Sequence, residues 1–389
     1  MAAALAVEAC ARPIALAVER LRLKDVRNYA RLALELPPGP VVLTGPNGAG
    51  KTNLLEALSL LAPGRGLRRA ELAAIDRRPE GGPWAISARL RGRQGPFELA
   101  VARDPEQDRR LVTLDGRPQR DRGRLAELVP MVWLSPAQDR LFQEGPAERR
   151  RFLDRLTLAF DPRHAALVAT HERLLRDRAV LLRGGPRDPA WLAALEARIA
   201  AVAVAIAAAR RELVAALERC RGFASEGLPE PVLALEGEVE GWLETAPAAA
   251  VEERLAAALR ASRARDAETG GAAHGPHRSD LLVFDRASGT PAAACSTGRQ
   301  KALLASLVLR HARLVAELRG ELPLLLLDEV CAHLDSVRRR ALAEALLALG
   351  AQAWLTGTEP ELFAGLLGRA TFLSVDNGTI RADERHDPA

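Results

Sequence analysis

A chain of 389 residues with 48% hydrophobic side chains can bury a sizeable core in one large or two linked domains, which sets aside a disordered or fibrous chain. Its net charge of +5 suits a polyanionic partner such as nucleic acid without demanding one. Cys10, Cys220, Cys295 and Cys331 form no CxxC pair and no zinc or disulfide spacing, so a reducing cytoplasm is expected.

In chain order, the Ala-rich start carries Glu8 where a secretion signal would want a basic region, and reads as a loose terminus. Alternation in Leu21-Arg22-Leu23 and Leu32-Ala33-Leu34-Glu35-Leu36 predicts two strands. The continuous apolar run Val41-Val42-Leu43 predicts a buried strand entering a Gly-rich turn and then a helix over 53–61. Strand signals recur at 84–90, 97–101, 111–114 and 129–134 between Gly, Pro and Asp, a pattern that predicts a meander. From 147 to 267 the texture is Ala, Leu, Arg and Glu at helical spacing. Turns are marked there by Asp161-Pro162, Gly184-Gly185-Pro186 and the stretch 222–231, and one long helix is expected over 191–221. The bland run 200–209 lies between Arg198 and Arg210 and is too short to span a hydrocarbon core of about 30 Å, so no membrane segment is expected. After Gly270-Gly271, strand signals at 281–284 and 324–327 resume the α/β pattern.

Gly45-Pro46-Asn47-Gly48-Ala49-Gly50-Lys51-Thr52 satisfies GxxxxGK[ST] between a strand and a helix that opens at Asn53. Glycines let successive backbone N–H groups converge on phosphate oxygens at a helix N-terminus, Lys51 reaches the β/γ-phosphates and Thr52 ligates Mg²⁺. The only lysines are Lys24, Lys51 and Lys301, so a compact ammonium is retained at Lys51 where arginine is otherwise the rule. Leu324-Leu325-Leu326-Leu327-Asp328-Glu329 is an apolar strand that delivers two carboxylates to the sheet edge where nucleotides bind. Asp328 is the expected Mg²⁺ ligand and Glu329 the group that orients and deprotonates the attacking water.

Cys295-Ser296-Thr297-Gly298-Arg299-Gln300-Lys301, followed by a helical run over 302–314, resembles the signature sequence of ABC-type ATPases. That resemblance implies that Ser296, Gly298 and Gln300 contact ATP held by a second copy. Further segments resemble the RecF family: Leu21-Arg22-Leu23-Lys24-Asp25-Val26-Arg27-Asn28-Tyr29, Gly64-Arg65-Gly66-Leu67-Arg68-Arg69, Arg149-Arg150-Arg151-Phe152-Leu153-Asp154 and Gly275-Pro276-His277-Arg278-Ser279-Asp280. The implied fold is α/β, an ABC-ATPase-like P-loop head split into 14–145 and 271–382 by an all-helical lobe over 146–270. The implied activity is slow, switch-like ATP hydrolysis with ATP and Mg²⁺. The implied partners are gapped or double-stranded DNA, recombination mediator proteins and a second copy of the chain, in recombinational repair, replication and the SOS response.

Arg65, Arg68, Arg69, Arg149, Arg150 and Arg151 are the candidate phosphate contacts. The chain departs from the family pattern in Pro136-Ala137-Gln138-Asp139, where Gln138 is a candidate Mg²⁺- and water-sensing residue. It departs also in Ala332-His333-Leu334-Asp335, whereas at the switch, Thr356-Gly357-Thr358, a hydroxyl stands where many ABC ATPases have a histidine, as in RecF-like proteins. An ABC transporter subunit and an SMC-like ATPase share the motif order. The long interval from P-loop to signature argues against the first, and the absence of sustained heptads against a long-armed form of the second.

Overall fold

Strand 17–26 alternates as its sequence requires, with Leu21 and Leu23 buried and Arg22 and Lys24 exposed, and this alternation sets which face of its sheet meets the core. The computed structural model describes residues 13–79, 81–184, 189–220 and 227–383. They fall into two units, the first built from the described residues of 13–138, 227–228 and 297–383 and the second from those of 139–220 and 229–296.

The first unit holds two six-stranded sheets. One is antiparallel, in the order Tyr29–Glu35, Ala17–Val26, Ala85–Gly92, Gly95–Asp104, Arg109–Leu114 and Arg117–Pro118. The other runs Thr379–Ala382, Thr371–Asp376, Val41–Thr44, Ala353–Gly357, Leu324–Leu327 and Met131–Leu134, all parallel except the first. Val41–Thr44, Leu324–Leu327 and Ala353–Gly357 are buried throughout, as strands covered on both faces must be. Met131-Val132-Trp133-Leu134, expected in the meander, instead pairs with Leu324–Leu327 in this parallel sheet. Its continuous apolar run suits a strand buried on both faces better than a half-exposed meander. Leu54, Leu55 and Leu58 of the P-loop helix Lys51–Ser59 pack with Leu21, Tyr29, Trp84 and Trp354 in one core.

The second unit is mostly helical but not entirely so. Pro231–Glu236 and Asp280–Asp285 form an antiparallel pair within it, so the strand at 281–284 does not rejoin the head and the expectation of an all-helical lobe is corrected. The unit also runs to Ser296 and not to residue 270. Gly270, at φ 76°, is the left-handed cap of helix Arg263–Thr269, which is why a glycine pair that looks like a linker marks only a helix end. Helix Pro189–Arg219 has 31 residues and is long and apolar enough to cross a membrane by length and composition, more than the run 200–209 suggested. Its apolar residues Ile199, Ala203, Val204 and Ala207 pack against Leu174, Val251, Leu255 and Leu259. Its Glu196 and Arg210 are buried in ion pairs that hydrocarbon could not replace. Gly185-Pro186 and residues 221–226 lie outside the described residues, as does Cys10.

Candidate active site

The P-loop begins where strand Val41–Thr44 ends. Gly45 stands at φ 145°, and a Cβ there would meet the Val375 carbonyl oxygen at 2.1 Å, so no other residue fits. Gly50, at φ 119°, would push a Cβ to 2.4 Å from Asn28 Nδ2. Asn28 occupies that space because it holds the loop from behind, donating to the Ala49 carbonyl at 2.9 Å and accepting from Asn53 Nδ2 at 2.8 Å. The Tyr29 hydroxyl adds a 3.0 Å bond to the Gly50 carbonyl. Asn28 and Tyr29 therefore brace the loop, a role that their sequence motif does not declare. Pro46, Asn47 and Gly48 are exposed, whereas Ala49 and Gly50 are buried. Lys51 donates to the Gly45 and Pro46 carbonyls at 2.6 and 2.8 Å. Burial lowers its pKa, opposed by the carboxylates of Glu329 and Asp328.

The carboxylate strand brings Asp328 to the same place. Thr52 Oγ1 donates to Asp328 Oδ1 at 3.0 Å, Thr356 Oγ1 donates to the same oxygen at 2.7 Å, and the Glu329 N–H donates to Thr356 Oγ1 at 2.8 Å. Burial raises the Asp328 pKa, and the hydroxyls of Thr356 and Thr52 pull it back. Thr52 and Asp328 thus offer adjacent hard oxygens, the donor type Mg²⁺ selects. Glu329 is half-buried and sits at φ 51°, a left-handed conformation at the end of the strand. The fully buried Thr356 is committed to Asp328 and Glu329, so the exposed Thr358 is the switch residue with a side chain open to solvent.

Other expected residues divide. Gln138 Oε1 accepts from Ser135 N and Oγ at 2.8 and 3.2 Å, capping its own turn rather than reaching Thr52 or Asp328. Ser296 is exposed just before helix Thr297–Arg319, and Gly298 packs so closely that a Cβ would lie 2.6 Å from the His333 carbonyl. Gln300 is 2% exposed and faces the interior, so it is withdrawn as a nucleotide contact. Asp335 caps helix Ser336–Leu349 through the Arg338 N–H at 2.8 Å and ion-pairs with the Arg338 side chain.

Of the arginines, Arg149 is held by both oxygens of Asp280 at 2.7 Å and by the Glu144 carbonyl, and Arg150 donates to the Ser279 carbonyl at 2.6 Å. Both hold the second unit together, which corrects their expected role as free phosphate contacts. Arg68 binds Asn53 Oδ1 and Glu56 at 2.7 and 3.2 Å, and Arg151 pairs with Glu148. Arg65 and Arg69 are exposed and form no ion pair among the described residues.

The family model for the RecF/RecN/SMC N terminal domain matches residues 17–366. The DNA replication and repair protein RecF of Mesorhizobium japonicum is 48% identical over 371 residues, spanning 94% of this chain and 98% of that protein. The chain belongs to the RecF family. The RecF of Rhizobium rhizogenes is 46% identical over 93% of this chain and 98% of its own length. A solved structure of the recombination mediator protein RecF in the RecFOR pathway superposes with a TM-score of 0.82 at 22% identity. It covers 96% of this chain and 99% of that one, and establishes the shared ATPase-head fold. As a RecF-family member the chain is a DNA replication and repair protein, and neither the transporter reading nor that of another SMC-like ATPase is favoured.

Proposed function

We propose that this chain binds ATP with Mg²⁺ at Gly45 to Asn53, hydrolyses it slowly, and uses the bound state to join two copies on DNA. The observation that carries the reading is the hydrogen-bonded set Thr52, Asp328, Thr356 and the Glu329 backbone, which ties the P-loop helix to the carboxylate strand. Bound Mg²⁺ would neutralise charge on the phosphates, held by Thr52 and Asp328. The Lys51 ammonium exchanges its two carbonyl partners for β/γ oxygens, and the N–H groups of the loop cradle the same phosphates. Glu329 orients and deprotonates the attacking water. Gln138 would have to release Ser135 to approach the phosphate end. Ser296 and Gly298 of a second copy close over the γ-phosphate. With a threonine at the switch position the transition state receives a weaker polar contact than an imidazole gives, which supports slow turnover.

Arg65 and Arg69, exposed and without an ion-pair partner among the described residues, are the arginines best placed to meet DNA phosphates, with Arg68 and Arg151 reaching them only by leaving their acids. Gapped and double-stranded DNA, recombination mediator proteins of the RecFOR pathway in which the matched RecF structure acts, and a cytoplasmic location complete the proposal.

The test is Glu329→Gln. It should bind ATP and Mg²⁺ and persist as a dimer by light scattering, whereas the parent returns to monomer as ATP is consumed. A persistently monomeric variant with bound nucleotide refutes the switch. Turnover of the parent should rise with DNA and lose that stimulation as salt increases.

A further inference from the structure

The outer face of the antiparallel sheet carries a groove of about 310 Å³ lined almost wholly by carbon. Two rows of side chains cross it, set by strand register: Arg22, Ser87, Ala100 and Thr113 in one, and Lys24, Ala85, Ala102 and Leu111 in the other. Each row begins with a cation, passes over two small residues and ends in an uncharged wall. Leu111 is 44% exposed there, an apolar surface with no cover.

The charge on the first wall is uncompensated. Nearby Glu35 and Glu19 are taken by Arg20, Arg89 and Arg91, while Arg22 and Lys24 form no ion pair among the described residues. Lys24 is moreover the one exposed lysine, since Lys51 and Lys301 are buried.

From these dimensions and charges we propose that the groove docks one amphipathic helix of a partner protein, its apolar face on the alanine floor and an acidic edge along Arg22 and Lys24. The walls stand three strand spacings apart, about 14 Å. A helix with its side chains measures about 10–12 Å across and fits between them. Arg22 and Lys24 are two residues apart on a strand, about 7 Å, close to the roughly 6 Å that separates acids at i and i+4 on a helix. Duplex DNA fits less well, because its phosphates would meet Thr113 and Leu111, which offer no positive charge, on the second wall.

The probe is a fluorescein-labelled, helix-forming peptide of about 16 residues, with glutamates at i and i+4 beside a leucine and alanine face, followed by anisotropy. It should bind the full-length protein. Binding should weaken about tenfold or more in the double variant R22E/K24E and in Ala100→Trp, which fills the floor, with melting temperatures unchanged. A lysine-edged version of the peptide should prefer R22E/K24E. Failure of the acidic peptide to bind the parent, or binding indifferent to both variants, overturns the proposal. So does a loss of duplex DNA affinity in R22E/K24E that leaves peptide binding intact, which would make this a nucleic-acid face.

Discussion

Replacing Thr356 by valine keeps the shape of the side chain and removes one oxygen, and the structure locates what that oxygen does. It donates to Asp328 at 2.7 Å and accepts from the Glu329 N–H at 2.8 Å, with the residue fully buried. A hydrogen bond to a charged group contributes about 1.5–3 kcal/mol, and a stranded buried N–H costs roughly 1–3 kcal/mol. The added methyl returns about 1 kcal/mol, leaving a net loss of about 1.5–5 kcal/mol. The second effect is on charge. Burial already holds the Asp328 carboxyl above its ordinary range, and Thr356 is the first of the hydroxyls that oppose this. Losing it moves the pKa further up, so ionisation requires higher pH and the acid limb of ATP turnover shifts towards neutrality. Urea unfolding followed by circular dichroism measures the first effect and a pH–rate profile the second, and Thr356→Ser should restore both. A valine variant within about 0.5 kcal/mol of the parent, with its acid limb unmoved, would refute the reasoning.

Gly45→Ala should destabilise the head by about 2–4 kcal/mol and abolish binding of a fluorescent ATP analogue, because of the 2.1 Å approach to Val375. Gly39→Ala, at φ 118° with open space around it, should cost only about 1 kcal/mol in the same unfolding assay. Arg178→Met leaves Glu196 and Asp266 buried without their shared guanidinium, and should cost about 3–5 kcal/mol by urea unfolding, although Arg263 still reaches Glu196. His171 is buried, and desolvation, then His277 and Arg210, lower its pKa from 6.5 to about 4. The neutral ring is favoured in the folded state, so its contribution is fully present above pH 6.5 and is lost as pH falls towards 4, on the order of 3 kcal/mol in all. Stability measured across that window should fall less steeply in His171→Asn, and an equal slope in the variant would rule out His171 as the source.

The nucleotide site was legible because its chemistry is local. The P-loop glycines, Lys51 and Thr52 lie within the eight residues 45–52, and the Asp328-Glu329 pair follows an unbroken apolar strand. What the sequence hid depends on pairing between distant segments. Met131–Leu134 carries a strand signal but no indication of which sheet it joins, and its partner lies nearly two hundred residues on. The pair formed by Pro231–Glu236 and Asp280–Asp285 was masked by the helical texture around it. Arg149 and Arg151 look alike in an arginine run, yet one is clamped by Asp280 and the other pairs at the surface, a difference set by a strand 131 residues away from Arg149. Asn28 was hidden for the same reason, since it lies 17 residues before Gly45 in the chain and only the fold brings its amide to the Ala49 carbonyl. Gln300 was misassigned because helix phase, not motif membership, decides which way it faces.

One consequence concerns synthesis. Val41–Thr44, the strand that launches the P-loop, has Ala353–Gly357 on one side and Thr371–Asp376 on the other. The strand that carries the candidate nucleotide-binding loop therefore waits for more than three hundred further residues before gaining either neighbour. Among the described residues of 139–220 and 229–296, the strand pairing lies wholly within that lobe, which can settle earlier. Nascent chains stalled short of residue 353 should consequently hold a protease-resistant lobe and no ATP affinity, and chaperone demand should concentrate on the apolar segment 41–44 while it waits unpaired.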